Sequence, residues 1–259
     1  MSVPESINWL EDGCPYSPRF QDRYHSCTGG LAQAAGVFLR GCGLPQRWHE
    51  QDHFTILETG FGLGQNFLAT WAAWLADPQR CQQLHFVSVE AYPVAAADLV
   101  RAAQAAEAGL GELALPLVPV GPLADELAGV WQNLSPGQHH FQFAQGRVQL
   151  TLAVADVVQV LPGLDVVADA VFLDGFSPGI NPDMWSAATL QAVAGLCRRG
   201  TTLATYTIAR RVRDGLTQAG FAVKKCQGLP PKRDRLEAVF QGLDNSAASA
   251  PAQLAPLSA

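Results

Sequence analysis

The sequence predicts an α/β fold: a mostly parallel sheet of seven strands with helices on both faces. Three observations predict it. Short apolar runs alternate with helix-period segments along the chain. Several of those runs stop at glycine or at a carboxylate, the turn signal that bounds a buried strand. Hydrophobic residues make up 48% of the 259 positions and charged residues 15%, enough apolar material for a sizeable core.

Each element follows from its residues. Residues 1–50 are mixed and turn-rich and read as an N-terminal extension packed on the domain proper, which spans 51–242. FTILETG at 54–60 reads as the first buried strand. The helix after it carries Phe67, Leu68, Trp71 and Leu75 on one face. LHFVSVE at 84–90 is the second strand, and Pro93 suits the first turn of the Ala-rich helix that follows. Residues 109–147 read as an insertion with one amphipathic helix, because Leu123, Leu127, Val130, Trp131 and Leu134 fall at helical spacing. Strands are expected near 147–153, 169–174 and 201–207. Between the last two, a helix is expected to start at Asn181-Pro182-Asp183, with Asn as the cap and Asp at the positive end. A further helix runs over about 209–219 and stops at Gly220, and FAVKKC and LEAVF close the sheet. Residues 243–259, rich in Ala, Ser and Pro, read as a flexible tail.

Composition excludes several classes. No apolar run reaches the ~18 residues of a membrane span, and the N-terminus lacks the basic and apolar regions of a signal peptide. A soluble cytoplasmic protein is expected. The six cysteines are scattered without a CxxC pair, which suggests neither a zinc site nor a disulfide scaffold. Net charge is -6, unevenly spread. Residues 1–196 carry 7 Lys+Arg against 19 Asp+Glu, whereas 197–259 carry 10 against 4. A basic C-terminal part on an acidic body fits either an anionic partner or ordinary solvated charge.

Ligands of parallel sheets bind beyond the carboxyl ends of the strands, so the loops there hold the candidate site. Glu58-Thr59-Gly60-Phe61-Gly62-Leu63-Gly64 lies where a strand turns into a helix. Its glycines permit a sharp turn and close approach to a ligand, and their spacing differs from that of pyrophosphate-binding loops. An acid before the loop suits a cationic ligand such as S-adenosylmethionine. Glu90 ends the next strand, where a carboxylate either accepts both ribose hydroxyls or is only a cap or surface charge. Asp156 follows the third strand and either accepts from an adenine amino group or caps a short helix. Asp174 ends a central strand and opens a Gly- and Pro-shaped loop; Phe176 and Trp185 are there either to stack on a planar base or to fill the core.

The strings ETGFGLGQNFLATW, VSVEAYP, VFLDGFSPGINPDMW, LATYT with VRDGLTQAGF, and PPKRDRL closely resemble the tRNA 5-aminomethyl-2-thiouridine methyltransferases. That family comprises the amino-terminal domain of MnmC and its stand-alone form, MnmD. The likeness covers about residues 17–240, with DGFSPGINPDMW its most specific part. It implies a Rossmann-like class I S-adenosylmethionine-dependent methyltransferase. The implied reaction is methylation of the exocyclic amine of 5-aminomethyl-(2-thio)uridine at the tRNA wobble position. By the same resemblance, Glu58, Gly60, Phe61, Gly62, Gly64, Asn66, Glu90, Asp156 and Asp174 hold the cofactor. Asp174 would orient the amine, with Phe176, Pro178 and Trp185 of its loop facing the substrate; from the basic C-terminal part, Arg210, Arg211, Lys232 and Arg233 are expected to meet the tRNA anticodon loop. MnmC also carries a flavin oxidase domain; none is expected here, so no FAD is, nor any metal. A separate oxidase or another enzyme would then supply the aminomethyl precursor. Gln33, Leu63, Gln65 and Ile208 depart from the family's pattern. Two rival readings remain: an N-methyltransferase of a small-molecule or protein amine, and a module that binds the cofactor or RNA without catalysis.

Overall fold

The computed structural model describes residues 5–25, 29–108, 116–230 and 232–242. A small antiparallel sheet comes first, made of β1 (Asn8–Trp9), β2 (Pro15–Ser17) and β3 (Asp22–Arg23). Helix α1 (Gly30–Gln33) then runs directly into a π-helical turn over Ala34–Leu39. The main body follows in order: β4 (His53–Thr59), α2 (Gln65–Ala76), β5 (Gln83–Glu90), α3 (Ala96–Ala108), α4 (Gly121–Val130) and β6 (Gly137–Phe143). It continues with β7 (Val148–Val154), α5 (Val157–Val160), β8 (Ala168–Leu173), α6 (Ala187–Gly195), β9 (Cys197–Thr205), α7 (Arg210–Gln218), β10 (Phe221–Gln227) and β11 (Asp234–Phe240).

The main sheet has eight strands in the order β10-β11-β9-β8-β4-β5-β7-β6. β4, β5, β7, β8 and β9 run parallel, and β11, β10 and β6 are antiparallel to their neighbours. The chain leaves β4 toward β5 on one side and returns to β8 on the other, so a crevice opens above the carboxyl end of β4. The eighth strand corrects the expected count of seven. β6 comes from GQHHFQF inside the 109–147 insertion, paired with β7 from Gly137↔Val154 to Phe143↔Val148. As an edge strand with its polar residues largely in solvent, it lacks the apolar run that marks the central strands.

Each central strand feeds two cores because alternate residues point to opposite faces. In β8, Ala170 and Phe172 join the core under α2, while Val171 and Leu173 join the one under α6 and α7. Leu31, Phe38, Leu39 and Trp48 from the N-terminal segment enter the first of these cores with almost no exposure. Helix α2 also departs from expectation. It is buried at every position from Gln65 to Trp74 rather than on one face, since the sheet lies on one side and the π-helical turn and α4 cover the others. Pro93 does not open α3, which starts three residues later; Val94 is held extended by a bridge to Glu5. Asn181 makes no side-chain cap. A short 3-10 turn follows it, and α6 starts only at Ala187, where Ser186 accepts the Thr189 N–H at 3.2 Å.

Among the described residues, no helix is long and apolar enough to cross a membrane, and no cluster of His, Cys, Asp or Glu could hold a metal ion. The five described cysteines are free, and the proposed tail at 243–259 lies outside the described residues.

Candidate active site

The loop after β4 turns back sharply at Gly60, whose φ of +87° suits glycine. Its N–H donates to Val89 O at 2.8 Å. A side chain at Gly60 would put its Cβ 3.3 Å from Gly175 Cα, so the loops after β4 and β8 meet here backbone to backbone. Gly64, at φ +69°, caps α2. A Cβ there would meet the Phe61 ring at 3.0 Å, so its part is to seat Phe61 rather than to touch a ligand. Above these loops lies a cavity of about 310 Å³. Of the sequence-predicted residues, Gly60, Phe61, Gly62, Asn66, Glu90, Asp156, Asp174 and Phe176 line it.

Glu90 stands at the carboxyl end of β5. Its Oε2 accepts the Gly62 N–H and its Oε1 the Tyr92 N–H, both at 2.8 Å. Burial pushes its pKa up, against those two backbone donors. Asp156 caps α5 by accepting the Val158 N–H at 2.9 Å and also lines the cavity. The capping and ligand readings of this residue are therefore compatible.

The far end of the cavity is built by side chains. Asn66 Nδ2 donates to Glu58 Oε1 and to Asp174 Oδ2, both at 2.9 Å, and so bridges two carboxyl groups. Glu58 has no solvent exposure and does not line the cavity; it sits behind Asn66 and also accepts from Ser88 Oγ at 2.6 Å. Burial pushes Glu58 up to about 8 and Asp174 up to about 6. Both acids are thus held above the ordinary carboxylate range, Glu58 further than Asp174. Asp174 Oδ1 also accepts the Gly175 N–H at 2.8 Å, and its carbonyl accepts from Thr59 Oγ1 at 2.8 Å.

The loop after Asp174 is clamped from three sides. Tyr206 Oη donates to Gly175 O at 2.8 Å, Trp185 Nε1 to Phe176 O at 2.8 Å, and the Ser177 N–H to Asp22 Oδ2 at 3.1 Å. Trp185 is only 3% exposed and Pro178 is buried, and neither lines the cavity. Trp185 is thus a core residue holding the loop, which corrects the expectation of a stacking face there. Phe176 does reach the cavity, with one face already stacked on Phe20 at 4.4 Å and Tyr24 edge-on at 5.1 Å.

The predicted basic residues divide. Side chains of Arg210 and Arg233 are 87% and 90% exposed, and Arg211, next to Arg210 on α7, is exposed too. Lys232 lies further in, with its ammonium 3.6 Å from the centre of the Tyr206 ring. Arg235 contributes to the net charge but not to any open surface. It is buried, donates to Gly36 O at 2.9 Å and pairs with Glu237. Arg198 pairs with Asp169 near the start of β9, at the opposite end of the sheet from the cavity.

Sequence reasoning missed the roof. Glu5, Phe20, Tyr24 and His25 come from the N-terminal segment, and Gln33 and Gln65 from α1 and α2. The likeness reaches back to residue 17, but nothing local in SPRFQDRY at 17–24 says that it folds over the glycine loop. The buried Gln65 amide has no hydrogen-bond partner, as fits a site built to take a polar ligand.

A family profile described as an S-adenosyl-L-methionine-dependent methyltransferase matches residues 119–241. Two curated relatives are named tRNA 5-methylaminomethyl-2-thiouridine biosynthesis bifunctional protein MnmC. The one from Acidovorax sp. (strain JS42) is 56% identical over 92% of this chain and 36% of its own length. The one from Delftia acidovorans is 55% identical over 93% and 36%. The chain therefore spans little more than a third of the curated relatives it matches. The crystal structure of MNMC2 from Aquifex aeolicus shares the fold, with a TM-score of 0.69 at 21% identity, over 93% of this chain and 72% of that one. By these matches the chain is similar to the S-adenosyl-L-methionine-dependent methyltransferases over residues 119–241 and to the MnmC proteins over most of its own length.

Proposed function

We propose that this protein methylates the exocyclic amine of 5-aminomethyl-(2-thio)uridine at the wobble position of tRNA, giving 5-methylaminomethyl-(2-thio)uridine. The observation that carries the reading is the placement of Asp174, held by Asn66, on the same cavity as the Gly60–Gly62 turn and Glu90. The relatives' names supply the substrate class.

The chain's residues fit the cofactor. The tight Gly60 turn lets the loops after β4 and β8 pack together beside the cavity; on its lining, Glu90 would take the ribose and Asp156 the adenine amino group. When bound, S-adenosylmethionine supplies a methyl group on a sulfonium centre. Asp174 accepts a hydrogen bond from the substrate amine and aims its lone pair. Glu58 and Asn66 fix that carboxylate. The Phe20–Phe176 stack offers an apolar flank for the uracil ring. Holding two reactants in line supplies most of the acceleration expected of such a site, roughly 7–11 kcal/mol. Arg210, Arg211 and Arg233, exposed, and Lys232 would supply positive charge for anticodon-loop phosphates, on a body whose net charge would otherwise repel RNA. The enzyme would act in the cytoplasm, downstream of an oxidase or another source of the aminomethyl base. Nucleoside mass spectrometry of tRNA from cells lacking the gene tests this: 5-aminomethyl nucleoside should accumulate, and an unchanged nucleoside profile would refute it.

A further inference from the structure

Three buried side-chain polar atoms lack a hydrogen-bond partner among the described residues: Trp71 Nε1, Gln65 Oε1 and Gln65 Nε2. Trp71 belongs to the core and does not line the cavity. Gln65 does line it, although the residue is only 8% exposed. It is the first residue of α2, next to Asn66, and α1 packs directly on it: a Cβ on Gly30 would come 2.6 Å from Gln65 Cγ and 3.1 Å from Oε1. A buried donor and acceptor without partners cost stability, so an amide kept beside a ligand cavity finds its partner in what the cavity binds. Among the described residues nothing holds either amide atom, and the group is free to turn toward that ligand.

We propose that Gln65 recognises the edge of the acceptor base, its amide oxygen accepting from the uracil N3–H and its amide nitrogen donating to O4. This rests on the amine-methylation reading above. In 5-aminomethyluridine the amine is carried on C5, O4 sits on the adjoining ring carbon, and N3–H follows on the next ring atom. A group that reads this edge must therefore stand beside the one that holds the amine. Gln65 meets that condition, because its neighbour Asn66 donates to Asp174 Oδ2 at 2.9 Å. A primary amide offers an acceptor and two donors in one plane, the complement of an O4/N3–H edge. Phe176 then meets the face of the ring, Asp174 its amine and Gln65 its edge, all from the lining of one cavity. The 2-position lies beyond N3 and is left unread by Gln65, so 2-oxo and 2-thio bases are alike to this residue.

The test compares wild type with Gln65→Leu, which keeps most of the bulk and removes both polar atoms. The acceptors are synthetic anticodon stem-loops with 5-aminomethyluridine at the wobble position. Gln65→Leu should lower kcat/KM for the stem-loop by about tenfold or more, while S-adenosylmethionine affinity, read by calorimetry, stays the same. The ligand-free variant should resist denaturant at least as well as wild type, because two unsatisfied buried atoms are gone; a residue kept for structure would lose stability instead. A second stem-loop, its wobble base also methylated at N3, should react about tenfold or more slowly with wild type and lose clearly less with Gln65→Leu. An N3-methyl penalty equal in both proteins, or a fall in stability that accounts for the lost activity, would overturn the proposal. So would a loss of S-adenosylmethionine affinity, which would give Gln65 to the cofactor. If wild type methylates neither the stem-loop nor 5-aminomethyl tRNA, the parent reading fails instead. Fluorescence anisotropy of the two stem-loops with both proteins then still reports whether Gln65 meets the N3 edge.

Discussion

The two ends of the cavity are built differently. At the Glu90 end, carboxylates at strand ends are satisfied by backbone N–H groups: Gly62 and Tyr92 serve Glu90, and Val158 serves Asp156. At the Asp174 end, side chains from distant segments hold one another, with Asn66 between Glu58 and Asp174 and Tyr206 on the loop. On the proposed reading, the first arrangement would recognise the cofactor and the second would poise charge. Backbone donors cannot change protonation, so they suit a constant ligand. Buried side-chain acids shift against one another, and that is what a reacting amine requires.

This contrast predicts separable losses. The largest is expected for Asp174→Ala, which should lower single-turnover methylation by ~10²-fold or more while S-adenosylmethionine affinity changes little. Calorimetry showing an equally large loss of cofactor affinity would erase the distinction between the ends. Glu90→Ala should do the converse, weakening cofactor binding by roughly 1–3 kcal/mol through lost bonds to buried hydroxyls, with less effect on the chemical step at saturation. Unchanged affinity would remove Glu90 from the site.

Glu58→Gln sharpens the charge side of the comparison. The Glu58 pKa is raised in the folded protein, to about 8 from 4.5. Its contribution to stability is therefore fully present below the unfolded value and is lost as pH rises through the folded one. Denaturant unfolding of wild type should show stability falling between about pH 6 and pH 8, above the Asp174 step, and Glu58→Gln should flatten that fall. A slope that persists in the variant would mean that Glu58 is ionised throughout. The smallest effect is expected among the exposed arginines. Arg233→Ala should reduce the salt slope of tRNA binding by roughly 1 without altering cofactor affinity, as measured by filter binding.

The same contrast explains what the sequence revealed. The Glu90 end is local: a strand, a glycine turn and an acid lie within a few residues, and their order alone indicates a ligand loop. The parallel strands were legible for a similar reason, since buried strands are continuous apolar runs. Edge strand β6 was not, because GQHHFQF is half polar. At the Asp174 end, Asn66 and Glu58 are eight residues apart in sequence, but Asp174 is 108 from Asn66, and only the folded sheet joins them. Trp185 and Phe176 look alike as aromatics in one loop; the burial of the one and the partial exposure of the other follow from which side of that loop packs on α6 and Tyr206. The roof from Phe20 to His25 arrives through tertiary packing and leaves no periodic signal.

The most direct measurement is methyl transfer from labelled S-adenosylmethionine to two tRNA preparations that differ only in whether the wobble uridine carries a 5-aminomethyl group. The account predicts label in the first preparation alone, recovered as the 5-methylaminomethyl nucleoside, with Asp174→Ala abolishing most of it. Label in both preparations, at another nucleoside, or on free alkyl amines at a comparable rate would contradict it.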